Sequence, residues 1–137
     1  MANSDPKLAN IDPVWTQITE EAREAIAEEP LLGGLVHGSL LNHAKLESAL
    51  AFRFAQKLAS SEMSEQILRE IADEAYASDP WLGEAARADI VAVYDRDPAC
   101  ERFIQPVLFF KGFQAIQAYR VGHWLWKQGR KLSLIHI

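Results

Sequence analysis

Four histidines, His37, His43, His123 and His136, and the single Cys100 are the side chains of this 137-residue chain best suited to hold a transition metal. No two of them stand at the spacing of a zinc site such as C-x-x-C or H-E-x-x-H, so no metal site is predicted. G-x-S-x-G, the P-loop and G-x-G-x-x-G are also absent, which leaves Gly33-Gly34 as a packing or turn feature rather than a phosphate cradle. A carboxylate remains. Asp97, in "VYDRDPACERF", could pair with a cationic ligand group or simply open a helix. The same Asp-Pro step recurs at Asp5, Asp12 and Asp79. In such a step the aspartate accepts from a first-turn N–H, and proline occupies a position where its missing donor costs nothing. On local pattern alone Asp97 is a helix N-cap, a role worth about 1 kcal/mol.

A second stretch, "YRVGHWLWKQGRK", sets Arg120, His123, Lys127, Arg130 and Lys131 among Trp124 and Trp126. It can be read as a basic, aromatic surface for a membrane or single-stranded nucleic acid. It also fits a buried helix whose closing cations complement the helix dipole and whose stop is Gly129. The formal net charge of -5 and the pI near 5.3 favour the second reading, and neither nucleic acid nor membrane is expected as a partner. The amino-terminal "MANSDPKLANIDP" lacks the basic and apolar regions of a secretory signal, and no apolar run approaches the roughly 18 residues of a spanning helix. One cysteine cannot form an internal disulfide, so the expected location is the cytoplasm.

The elements that must position these residues are helical. Asp12-Pro13 opens "VWTQITEEAREAIAEEP", with Val14, Ile18, Ala22, Ala25 and Ile26 on one face. "LLGGLVHGSLLN" forms a short helix despite three glycines. Leu46, Leu50, Phe54 and Leu58 recur every fourth residue, and Ile67, Leu68, Ile71, Ala72, Ala75 and Tyr76 repeat the pattern. Asp79-Pro80 opens another helix through Leu82, Ala86, Ile90 and Val93. The long "PVLFFKGFQAIQAYRVGHWLWKQGR" is apolar on more than one face and is expected to be the most deeply packed helix. No alternating strand pattern or internal repeat is found. The predicted fold is all-α, a small bundle of six to eight mostly short helices.

From about Asp12 to Arg130, the runs "DPVW", "EAYASDP", "DIVAVYDRDPAC" and above all "FFKGFQAIQAYRVGHWLWKQGRK" resemble the amino-terminal helical domain of bacterial serine acetyltransferases. The resemblance implies transfer of an acetyl group from acetyl-CoA to L-serine, in cysteine biosynthesis. It implies that Asp97 binds the substrate serine through its amino group. It also implies a hexamer built as a dimer of trimers and, through a carboxy-terminal tail of the full enzyme, O-acetylserine sulfhydrylase as a partner.

The family continues into a left-handed β-helix of hexapeptide repeats that carries the acetyl-CoA site and the catalytic histidine, and these repeats are absent here. The resemblance therefore places no catalytic or cofactor-binding residue in this chain, and His123 inherits no catalytic role. The expected organisation is a tail at 1–11, the helical domain at 12–131 and a non-native tail at 132–137. That last stretch, "LSLIHI", is what one reading frame of a transposon-type sequencing adapter encodes. The chain on its own is expected to be inactive, and the competing expectation is a stand-alone helical oligomerisation or binding module.

Overall fold

In the computed structural model, which describes residues 11–135, the Asp12 carboxylate accepts from the Trp15 N–H at 3.1 Å and opens α1, Pro13–Glu28. Ile18, Ala22 and Ala25 of α1 are buried, and Val14 and Ile26 are half-buried beside them. A single 3-10 turn, Pro30–Leu32, leads into α2, Gly33–Val36, which runs on as a π-helical turn, His37–Leu41. The glycine-bearing segment is thus helical but irregular, and it buries Val36, Ser39 and Leu40.

Helix α3, Leu46–Leu58, and α4, Glu65–Ser78, form the most extensive helix pair. Between them Ser60 Oγ accepts from the Met63 N–H at 3.1 Å, and Ser64 caps α4 through the Ile67 N–H. Asp79 both closes α4 and opens α5, Pro80–Arg96, accepting from the Trp81 N–H at 3.1 Å. The remaining helices are α6, Ile104–Phe109, α7, Lys111–Lys127, and α8, Lys131–Ile135. Eight α-helices and no strand are present among the described residues, as the apolar periodicities require. No helix of the described residues is long and apolar enough to cross a membrane.

Two expectations for the last segment are corrected. It is two helices, because Phe110 takes an extended conformation (φ -88°, ψ 105°) between α6 and α7. The carbonyls left at the end of α6 are met by side chains, with Arg53 Nη2 donating to the Leu108 C=O at 2.8 Å and Gln114 Nε2 to the Val107 C=O at 3.1 Å. Nor is α7 packed all round. Phe113, Val121, Trp124 and Leu125 are buried, while Ile116, Tyr119 and Trp126 face outward. Gly129 ends it as expected: at φ 74° it lets the Arg130 N–H reach the Leu125 C=O and its own N–H the Trp126 C=O, both at 3.0 Å. Leu134 of α8 packs back on this core, beside Gly122.

Candidate functional site

Asp97 does not open a helix. Its N–H closes α5 on the Val93 C=O at 2.9 Å, its Oδ1 accepts from the Ala99 N–H at 2.9 Å, and its C=O accepts from the Cys100 N–H at 2.9 Å. The Asp-Pro step here makes an Asx-type turn, and α6 starts only at Ile104. Two other acceptors serve the N–H groups near that start. Gln105 Oε1 accepts from the Arg102 N–H at 2.8 Å, and the buried Glu21 Oε1 on α1 accepts from the Ile104 N–H at 3.1 Å. Cys100 is drawn into the core between the two helices, which leaves Pro98 and Ala99 exposed as the tip of the turn.

The turn sets Asp97 at the rim of an open hollow between the end of α5 and the start of α7. Val93, Phe110 and Ile116 supply apolar wall, and Asp89 and Lys111 are its other charged residues. Asp89 is already neutralised, with Oδ2 accepting from Arg120 Nη1 at 2.6 Å and from Gln117 Nε2 at 2.9 Å. Asp97 is exposed and forms no ion pair among the described residues. A carboxylate with one oxygen uncommitted, beside apolar surface, can accept from a ligand ammonium. Burial, together with the negative charges of Asp97 and Glu21, pushes the Cys100 thiol up, so it is no thiolate nucleophile.

The remaining candidates are scattered. His37 is exposed on the π-helical turn, and His43 Nε2 bonds the Gly38 C=O at 3.0 Å. His123 lies between Tyr119 and Trp126 on the outer face of α7, at ring distances of 6.0 and 5.8 Å. His136 falls outside the described residues. Among the described residues no three of His, Cys, Asp or Glu converge as a metal would need. The basic-aromatic run is likewise divided. Arg120 pairs with Asp89 and lies over Trp81, while Arg130 pairs with Glu74 at 2.8 Å and lies over the buried Trp124.

Three residues around which the fold is organised escaped the reading of the sequence. Arg87 on α5 ties Asp12 and Glu47 together at 2.6 and 2.7 Å. Glu21 and Arg53 are both buried, at 5% and 8% exposure. The available signal was their position, because each charge falls within the apolar stripe of its own helix, where it is buried only if something satisfies it.

A family model described as serine acetyltransferase, N-terminal, matches residues 14–118. The chain belongs to the serine acetyltransferase family. The serine acetyltransferase of Escherichia coli K12 is 46% identical over 127 residues, covering 93% of this chain and 46% of the relative. A crystal structure of the Brucella abortus S19 serine acetyltransferase in complex with coenzyme A matches with a TM-score of 0.89 at 44% identity, covering 94% of this chain and 52% of that one. The Neisseria gonorrhoeae serine acetyltransferase in complex with serine matches with a TM-score of 0.88 at 41% identity, covering 93% and 53%. The chain thus spans about half the length of the serine acetyltransferases it matches, and it corresponds to their amino-terminal helical region.

Proposed function

We propose that this chain is the serine-binding helical part of a serine O-acetyltransferase, the enzyme that converts acetyl-CoA and L-serine into O-acetyl-L-serine and CoA in cytoplasmic cysteine biosynthesis. One observation carries the reading. The family match spans Asp97, whose carboxylate is exposed and without an ion-pair partner among the described residues. In this reading residues 12–131 are the domain, and 132–137 are foreign to it. Asp97 holds the serine ammonium, and the turn at Pro98 fixes where the carboxylate points. The serine hydroxyl then attacks the thioester carbonyl. A histidine from the family's carboxy-terminal region takes the hydroxyl proton, and the thiolate of CoA leaves. The chain alone lacks that base and the acetyl-CoA site and is inactive, and in the whole enzyme it contributes to a hexamer made of two trimers. O-Acetylserine sulfhydrylase is the partner proposed for the whole enzyme, and for this chain neither nucleic acid nor membrane is.

The test is Asp97→Asn in a form of the enzyme that continues past Arg130. The expected result is a serine kcat/KM lowered about tenfold, with acetyl-CoA binding unchanged, as loss of one charge-assisted hydrogen bond predicts. Unaltered serine kinetics would overturn the assignment. A second reading, a stand-alone assembly module, is favoured by the outward Ile116, Tyr119 and Trp126 on α7. It predicts a stable oligomer of defined size for the 137-residue chain in light scattering, where the first reading predicts a folded chain without one.

A further inference from the structure

Arg53 is a buried cation without a carboxylate among the described residues. Its side chain leaves α3 among Leu50 and Phe54, and the residue is 8% exposed. Nη2 donates to the Leu108 C=O at 2.8 Å and Nη1 to Gln56 Oε1 at 3.0 Å, both neutral acceptors. Its Nε–H has no hydrogen-bond partner among the described residues. Burial depresses the guanidinium's affinity for its proton, and no counter-charge restores it. A buried charge with a donor left over is costly unless something occupies the space beside it.

That space exists. Arg53 lines a cavity of about 200 Å³ between α3 and α7, walled by Phe54, Val107 and Phe113. Lys57 and Lys111 also line it and form no ion pair among the described residues. No Asp or Glu of the described residues lines it, although the chain as a whole has 19 acidic residues against 14 Lys and Arg. An apolar wall with three cations and no acid selects an anion that carries an apolar body. The volume lies below the range of drug-sized pockets, so the occupant is small.

We propose that the α3–α7 cavity, which adjoins the Asp97 hollow at Lys111 and Phe113, is a binding site for a small aliphatic carboxylate, in which Arg53 receives the carboxylate and Phe54, Val107 and Phe113 cover its chain. The proposal does not depend on the serine reading, since Asp97 would favour an ammonium and Arg53 favours the opposite charge.

The probe is sodium pentanoate added to the full chain, with pentanamide and equimolar sodium chloride as controls, and thermal unfolding as readout. Pentanoate is expected to raise the melting temperature saturably, while pentanamide and chloride do not. Arg53→Met keeps the length and apolar volume, and is expected to weaken the pentanoate effect about tenfold or more through loss of the charge-assisted bond. Should Arg53→Met fail to give the native helical circular dichroism spectrum, the double variant Lys57→Gln, Lys111→Gln is titrated instead, with a weakening of several-fold expected. An equal response to pentanamide, no saturable response to pentanoate, or an unchanged response in the variant that folds would each overturn the site.

Discussion

Arg87 Nη2 lies 2.6 Å from Asp12 Oδ2, across 75 residues of chain, so the carboxylate that opens α1 also ties that helix to α5. Arg87 holds Glu47 of α3 with its other donors, at 2.7 and 3.0 Å, and one guanidinium thereby fastens three helices. Replacing it by methionine leaves two half-buried carboxylates facing each other. Arg87→Met is expected to cost about 2 to 3 kcal/mol in urea unfolding, below the cost of breaking a fully buried pair because the cluster is partly solvated.

The same cluster sets the acid limit of the fold. Burial pushes the Asp12 and Glu47 carboxyls up, but the bonds and charge of Arg87 outweigh it and both sit below their ordinary values. A carboxyl with a depressed folded-state pKa stabilises above its unfolded value and loses that contribution as pH falls through the folded one. Stability is therefore expected to drop below about pH 4, and Arg87→Met should flatten the drop in a pH series of urea midpoints.

Gly83 on α5 is buried against Glu47, whose carboxylate occupies the place a Cβ would take. Gly83→Ala is expected to displace Glu47 from Arg87 and cost about 1 to 3 kcal/mol despite the better helix propensity of alanine. In a background that already carries Glu47→Ala, the penalty should largely vanish. Additive free energies in this double-mutant cycle would show that the two residues do not compete.

His43 gives a milder pH response nearer neutrality. Burial lowers its pKa against the opposing bond to the Gly38 C=O, and the facing charges of Arg69 and Asp73 on α4 act in opposite directions. Because the folded state binds the proton less readily than the unfolded chain, stability is expected to fall as pH drops through about 6.5. His43→Gln should remove that part of the slope in urea midpoints measured between about pH 7.5 and 5.5.

Asp97 separates geometry from charge. Asparagine keeps the acceptor for the Ala99 N–H, whereas alanine loses it. Asp97→Asn is expected to unfold within about 0.5 kcal/mol of the parent and Asp97→Ala about 1 kcal/mol below it. Equal losses in the two variants would argue that the turn does not rely on this acceptor.

Asp12, Asp79 and the stripes of α3 and α4 were legible because local chemistry and periodicity agree there, and these elements account for most of the bundle. Asp97 looked the same over two residues and behaved differently. The chain after Pro98 has no helical run to propagate, and Gln105 and Glu21 meet the N–H groups near Ile104. The break at Phe110 was hidden because a segment apolar on more than one face carries no clear single period to interrupt. Arg87, Glu21 and Arg53 act through partners 40 to 83 residues distant, which no local window reaches.

The link from α5 to α6 is pinned to α1 twice. Glu21 takes the Ile104 N–H, and Arg102 Nη2 reaches the Glu28 carboxylate at 2.9 Å, while Cys100 is sunk in the core. Its conformational entropy is lost when the bundle folds. A ligand arriving at Asp97 therefore meets a preorganised loop, and its affinity is not reduced by the cost of ordering one.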